Sequence, residues 1–361
     1  MAVMRSVIAG RVSGLIRRPA EASRFLLEDG DVGYSAVTSN WGQHPVTRPI
    51  KNIVNQMIRY FVFHAPWGAR EAMLQACIDR VGPREVSARV LPRLKIVELG
   101  VSGDRGIVCS SSNDNSVLPE YAETGTFAST VTATLSAFFG SGGGTYMDIG
   151  ANIGLTTIPL ARNPLVRCIA FEPEPQNFEF LKRNVARNAP RATVDFQPVA
   201  LFRSRGTMSL AIADGNIGDH RLTEKGVAGR RSVEIPTMPL DDFLPRVVEP
   251  LAIKIDTQGA EPFIIEGGRQ VLGRAGLLAI EFCPYLIGQL GGDANLVIDL
   301  LSGFDQAAVM SGGKAETPNL VSIAEAQSIL RSKLANARAT DEDYLDIIAV
   351  RGANRLGHTS N

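Results

Sequence analysis

Four carboxylates, Asp148, Glu172, Asp256 and Glu281, each stand at the carboxyl end of a short apolar run. An open α/β sheet binds its ligands outside the carboxyl ends of its strands, so this placement could carry chemistry. In Tyr146–Leu155 (YMDIGANIGL) the run ends in Asp148, and Gly150 and Gly154 follow with Asn152 between them. The pattern predicts a strand, a tight turn and a helix N-terminus. Its glycines tolerate positive φ and let a ligand approach the backbone N–H groups. A carboxylate at the mouth of such a turn disfavours phosphate and favours positive charge or hydroxyls. The third glycine of G-x-G-x-x-G is missing and no Lys-Ser/Thr follows, which excludes a P-loop. Twenty-four positions after Asp148, the run Cys168–Phe171 ends in Glu172. From that position α/β folds hold a ribose diol. Together these features point to a nucleoside ligand without a pyrophosphate, and S-adenosylmethionine fits.

The stretches around these acids, MDIGANIGLTTIPLA, IAFEPEPQNFEFLKRNV, IPTMPLDDFL, IKIDTQGAE and LLAIEF, follow one another in that order. From about Asp114 to Arg351 they resemble the FkbM-type methyltransferases. The resemblance implies a class I Rossmann-like methyltransferase using S-adenosylmethionine, usually on a hydroxyl of a sugar or polyketide. It implies an α/β fold with a doubly wound, mostly parallel seven-stranded sheet. The acceptor expected on this basis is a small molecule or glycan. Asp148, Gly150, Asn152, Gly154 and Glu172 are then the cofactor-binding residues, Asp148 toward the amino-acid moiety and Glu172 at the ribose hydroxyls.

Methyl transfer to a hydroxyl needs an oriented acceptor and a group that takes its proton. Asp256, with Glu261, is the candidate for acceptor positioning or base work. Lys254 precedes Asp256 by two, shares its face and could pair with a carboxylate. His220 is an alternative base if its loop closes over the site. The competing reading of a strand-terminal acid is a helix N-cap. Glu261 could equally be a first-turn acid favoured by the helix dipole, and Glu281 is read as structural. Two other functions stay open. One is a nicotinamide-dependent oxidoreductase, which Gly150, Gly154 and Glu172 loosely mimic. The other is a binding module that keeps the fold without catalysis.

Alternating strand- and helix-length patterns must position these residues. Leu94–Leu99 and Gly106–Cys109 predict a hairpin, and Thr130–Phe139 a helix. Phe178, Leu181 and Val185 mark a helical stripe after Glu172-Pro173. Thr193–Val199, Gly206–Ile212, Leu251–Ile255, Leu277–Ile280 and Tyr344–Val350 read as strands, and Ser322–Ala337 as a helix. Ala213–Arg231 is polar and glycine-rich, a loop length that is usually functional or disordered. Residues 141–352 are the expected methyltransferase domain, preceded by a lead-in hairpin and helix at 91–140. Residues 1–90 read as a helical extension on the spacing of Ile53–Val81, packing on the core or joining copies into a homo-oligomer. Residues 353–361 read as a flexible tail.

The 361 residues carry 37 basic and 37 acidic side chains, so no global field recruits nucleic acid. Cys77, Cys109, Cys168 and Cys283 lie far apart without C-x-x-C, and His44, His64, His220 and His358 form no ligand pattern. Neither a zinc site nor a disulfide framework is expected. No apolar run approaches the ~20 residues of a membrane-spanning helix. The first twenty residues carry Arg5, Arg11, Arg17 and Arg18 without the continuous apolar core of a secretory signal, so a surface helix, a membrane-touching helix or a transit peptide fits, the surface helix best; the expected location is cytoplasmic.

Overall fold

The apolar runs that end in the four acids are strands lying side by side. The computed structural model describes residues 24–26, 32–36, 86–91, 96–224, 226–311 and 317–352. In chain order the strands are β1 (Arg24–Leu26), β2 (Val32–Ala36), β3 (Val86–Leu91), β4 (Ile96–Gly103), β5 (Gly106–Ser111), β6 (Gly144–Ile149), β7 (Val166–Phe171) and β8 (Thr193–Gln197). They continue as β9 (Ala200–Leu201), β10 (Gly206–Ala211), β11 (Arg221–Thr223), β12 (Ser232–Met238), β13 (Leu251–Ile255), β14 (Ala275–Phe282), β15 (Gln306–Ser311), β16 (Val321–Ser322) and β17 (Leu345–Val350). Helices α1 (Val117–Thr124) and α2 (Ser129–Phe139) precede β6; α3 (Thr157–Ala161) and α4 (Pro175–Asn188) follow β6 and β7. After β13 come α5 (Glu261–Glu266) and α6 (Arg269–Arg274), and later α7 (Pro284–Gln289), α8 (Asn295–Leu300) and α9 (Ile323–Ala335).

The central sheet has eight strands in the order β16-β15-β17-β14-β13-β6-β7-β8. From β14 to β8 the neighbours are parallel; β17 runs antiparallel to both β14 and β15. This is the Rossmann-like sheet expected from the sequence, with the two-residue β16 as an eighth strand. From β6 the chain steps outward to β7 and β8, then returns to place β13 on the other side of β6. The reversal puts the switch point between β6 and β13, where Lys254 stands opposite Asp148 in register.

Strands covered on both faces need apolar residues at every position, hence the near-continuous runs. Successive side chains then feed opposite cores. Tyr146, Cys168, Ala170 and Ala252 join the core under α1–α4, while Met147, Ile149, Ile169, Phe171, Ile253 and Ile255 join the one under α5, α6 and α9. Asp148 follows Tyr146 by two, so it faces the first of these layers and is fully buried there.

The expected hairpin is β4–β5, and it completes a five-stranded antiparallel sheet in the order β1-β2-β3-β4-β5. Up to β3 the described residues of the N-terminal extension are therefore strands. The helical pattern Ile53–Val81, the Arg-rich start and the tail 353–361 lie outside the described residues. Residues 213–231 also depart from a simple loop. They contain β11, which joins β10, β12 and β9 in a four-stranded sheet. Among the described residues no helix is long and apolar enough to cross a membrane.

Candidate functional site

A crevice of about 900 Å³ opens at the carboxyl ends of β6, β7, β13 and β14. Its floor is the turn after β6. Gly150 has φ +80°, and a Cβ there would lie 1.9 Å from the Asp256 carbonyl oxygen. The tight approach of the chain after β13 thus requires this glycine. Asn152 takes φ +51°, a left-handed conformation that Asn tolerates. The five N–H groups of residues 150–154 are all used internally. Those of Gly150 and Ala151 donate to the Phe171 carbonyl, Asn152 to Glu172, Ile153 to Asn152 Oδ1 and Gly154 to the Ala151 carbonyl. A pyrophosphate would find no free backbone donor here.

Glu172 lines the crevice with both oxygens held by main-chain donors, Oε2 by Asn152 N–H (2.8 Å) and Oε1 by Glu174 N–H (2.8 Å). It is not the cap of α4; Glu174 is, accepting from Asn177 N–H. Burial pushes the Glu172 carboxyl up to about 8, against the pull of those N–H donors.

Asp148 does not line the crevice. It lies beneath the turn, its Oδ2 accepting from Thr156 Oγ1 (2.8 Å) and Thr157 Oγ1 (2.6 Å) and its Oδ1 facing Lys254 Nζ at 3.5 Å. Gly154 is also set back. A Cβ there would lie 3.0 Å from Leu181 Cδ1, so it serves helix packing at φ +94°. Lys254 pairs as its shared face with Asp256 implied, reaching Asp256 Oδ2 at 3.4 Å and donating to the Gly150 carbonyl at 2.9 Å. Burial alone would lower its value, but Asp256 and Asp148 outweigh that and hold it above the ordinary lysine value.

Asp256 sits in the crevice with its side chain 41% exposed, the most open carboxylate among the sequence's base candidates. Glu261 departs from the expectation of base work. It is 1% exposed and is not among the residues that line the crevice. Its oxygens accept from Thr257 N–H and Oγ1 (2.9 Å each) and Gly259 N–H (3.0 Å), which makes it the brace of the 257–259 turn. Burial raises its carboxyl. That turn holds Gln258 at φ +58°, where its amide donates to Asp256 Oδ1 (3.2 Å) and to Glu281 (3.3 Å). Glu281 is in the crevice wall, and burial, with Asp256 next, drives its carboxyl well above the usual range.

His220 reaches the crevice, but its Nδ1 accepts from Ala213 N–H at 3.1 Å. Nε2 therefore carries the proton, and burial lowers the ring to about 4. A neutral imidazole with its lone pair engaged donates rather than accepts, so His220 is not the base.

Residues 148–305 match the family model of the Methyltransferase FkbM domain. The stretch from Asp148 to Asp305 is thus similar to an FkbM methyltransferase domain. A search of curated proteins finds no match. Among solved structures, the O-methyltransferase TomG from Streptomyces achromogenes, in complex with SAM, is 15% identical. That alignment covers 62% of this chain and 79% of that one, with a TM-score of 0.32. An O-methyltransferase from Bacillus cereus in complex with SAH is 13% identical over 62% and 80%, with a TM-score of 0.33. Both likenesses are weak. The domain match starts at Asp148 and so takes in the turn, Glu172 and Asp256.

Sequence reading passed over Asn177, which is buried and lines the crevice. Its signal was present. Asn177 and Asn184 fall seven apart on the same helical face as Leu181, where apolar residues are the rule. Phe178, half-buried, packs against the core that holds Leu181 and Val185 and meets Phe196 edge-on. Among the described residues, no group of three or more His, Cys, Asp or Glu side chains could hold a metal ion.

Proposed function

We propose that the chain transfers a methyl group from S-adenosylmethionine to a hydroxyl of a sugar, glycan or polyketide-type small molecule. The observation that carries this reading is the charge of the crevice. Glu120, Asp214, Asp219, Asp256, Asp341 and Glu342 line it, with Glu172 and Glu281, whose carboxyls burial raises toward the neutral form, against Lys254 and Arg230. Both cations are already paired, Lys254 with Asp148 and Asp256, Arg230 with Asp219. Such a field favours a ligand bearing sulfonium and ammonium groups and disfavours phosphate, hence nucleic acid, as acceptor.

The residues present fit that cofactor. Glu172 has a second lone pair on each oxygen for ribose hydroxyls, and Phe171, Val199, Leu201 and Leu210 supply apolar lining for a base. When bound, S-adenosylmethionine supplies an electrophilic methyl on sulfur. This chain orients the acceptor and takes or directs its proton at Asp256, while Lys254 and Gln258 hold that carboxylate in place. The consumed N–H groups of the turn count against a dinucleotide. Titration with S-adenosylmethionine, S-adenosylhomocysteine and NAD, followed by a turnover assay, separates the methyltransferase from an oxidoreductase and from a binding module.

Asp256→Asn keeps the volume and loses the charge. Cofactor affinity should be retained while turnover falls about 10²–10⁴-fold. Near-normal turnover would remove Asp256 from proton handling, and since His220 donates and Glu261 is enclosed, it would leave no protein base among the candidates.

A further inference from the structure

Asn177 is a polar side chain on the buried face of α4, and the methyl-transfer reading gives it nothing to do. Its Nδ2 donates to the Ile217 carbonyl at 3.0 Å, and Asn152 Nδ2 donates to the same oxygen at 2.9 Å. A carbonyl has two lone pairs, so both are used. The preceding segment is pinned as well, because the Gly215 carbonyl accepts Asn115 N–H at 2.7 Å. Every residue from 213 to 220 lines the crevice, so these bonds fasten a strap across it.

The two donors belong to the frame that holds the ribose acid. Asn152 N–H donates to Glu172 Oε2, Glu174 N–H to Glu172 Oε1, and Asn177 N–H to Glu174 Oε2 at 2.7 Å. A closed ring of hydrogen bonds therefore joins Glu172 to the strap. Only a neutral donor suits the Asn177 position. A cation there would compete for Glu172 and Glu174, and an apolar group would leave a buried carbonyl one bond short.

We propose that Asn177 is a positioning residue of the cofactor site: through the Ile217 carbonyl it holds the 213–220 strap over Glu172 and slows escape of the nucleoside. The inference rests on the crevice being the S-adenosylmethionine site. It assigns Asn177 to ligand retention and not to the methyl-transfer step.

The test uses the full chain and two variants. Asn177→Ala removes the amide. Asn177→Asp keeps the volume but places an acceptor against a carbonyl. The backbone N–H that meets Glu174 survives in both. Hydrogen exchange is followed at amides 213–220, and S-adenosylhomocysteine dissociation is followed by rapid mixing. Both variants should exchange faster in the strap and release the ligand about tenfold faster, with KM for S-adenosylmethionine raised similarly and kcat within about twofold. Asn188→Ala, at the far end of the same helix, should leave the strap and the release rate unchanged. Unchanged release in either folded variant overturns the proposal, as does a fall in kcat with KM intact. Should neither variant fold, the wild type decides: the ligand must protect strap amides from exchange, and absence of protection overturns the proposal. If the wild type binds no S-adenosylhomocysteine, the functional reading fails instead, and strap exchange in the ligand-free variants still reports on Asn177.

Discussion

Glu172 is a buried carboxyl with two main-chain donors and no cation in contact, so its protonation state is part of how it binds. Its value of about 8 lies above the ordinary 4.5 because burial penalises the charge. Between those values the folded chain keeps a proton that the unfolded chain has released. The contribution of Glu172 to ligand-free stability is therefore full below about pH 4.5 and lost as pH rises through about 8. Ribose hydroxyls donate to the ionised form and should pull the proton off. Cofactor binding below pH 8 should then release a proton, and affinity should rise with pH until it levels near 8. Calorimetry in two buffers of different ionisation enthalpy measures the proton directly. Glu172→Gln should abolish the release and weaken binding by roughly 1.5–3 kcal/mol. A Gln variant that still released the proton would mean another group is the one titrating. Asp148 teaches the complementary lesson. Its type and place were legible in YMDIGANIGL, but its role depends on whether Thr156, Thr157 and Lys254 close around it. Those contacts come from a helix start and a neighbouring strand, which no local pattern specifies.

At the scale of elements, the strands were readable because both faces of the sheet are covered and most positions had to be apolar, with Asp148 and Lys254 as exceptions at the carboxyl ends. The positions of β6, β7, β13, β14 and β17 follow from that alone. The strap and the 257–259 turn were not readable, because side-chain-to-backbone bonds across the chain shape them rather than periodicity. Glu261 looked like an acid for chemistry and is a brace, since the three donors it accepts from lie within its own turn. Helix α4 shows the same limit. Asn184 is 1% exposed, accepts Cys109 N–H (2.8 Å) and donates to the carbonyls of Cys109 and Ile153 (2.8 Å each). It thus ties the edge of β5 to the turn that carries Asn152. Asn184→Ala should destabilise the protein by roughly 1–3 kcal/mol, because buried main-chain groups lose their partners. Asn184→Asp should be worse, since it keeps the acceptor and turns two donors into repulsion. Urea unfolding ranks them; an Asp variant as stable as wild type would show that water replaces these bonds freely.

Across the whole molecule, 37 acids balance 37 bases, yet the crevice is lined by eight acids and two paired cations. The charge is segregated rather than absent. The sheet edges are managed in a comparable way. In the N-terminal sheet, the outer edge of β5 is closed by the Asn184 amide and by α4, with Arg183 pairing to the buried Glu98. The other edge of β4 is closed by β3 over six paired residues, Val86↔Val101 to Leu91↔Ile96. The β4 sequence IVELGVSG has one charge, Glu98, already engaged, and no proline. Uncovered, it would be an apolar edge without any of the usual guards against pairing with another chain. Removing residues 1–91 deletes β3 and should give a protein that associates with rising concentration, seen as faster sedimentation or loss from solution. Removing residues 1–22 keeps all five strands and should sediment as the full chain does. If the longer deletion stays soluble and sediments unassociated, β3 is not what guards the edge. If the shorter one already changes the assembly, the oligomer contacts expected of the N-terminal extension lie in its first 22 residues.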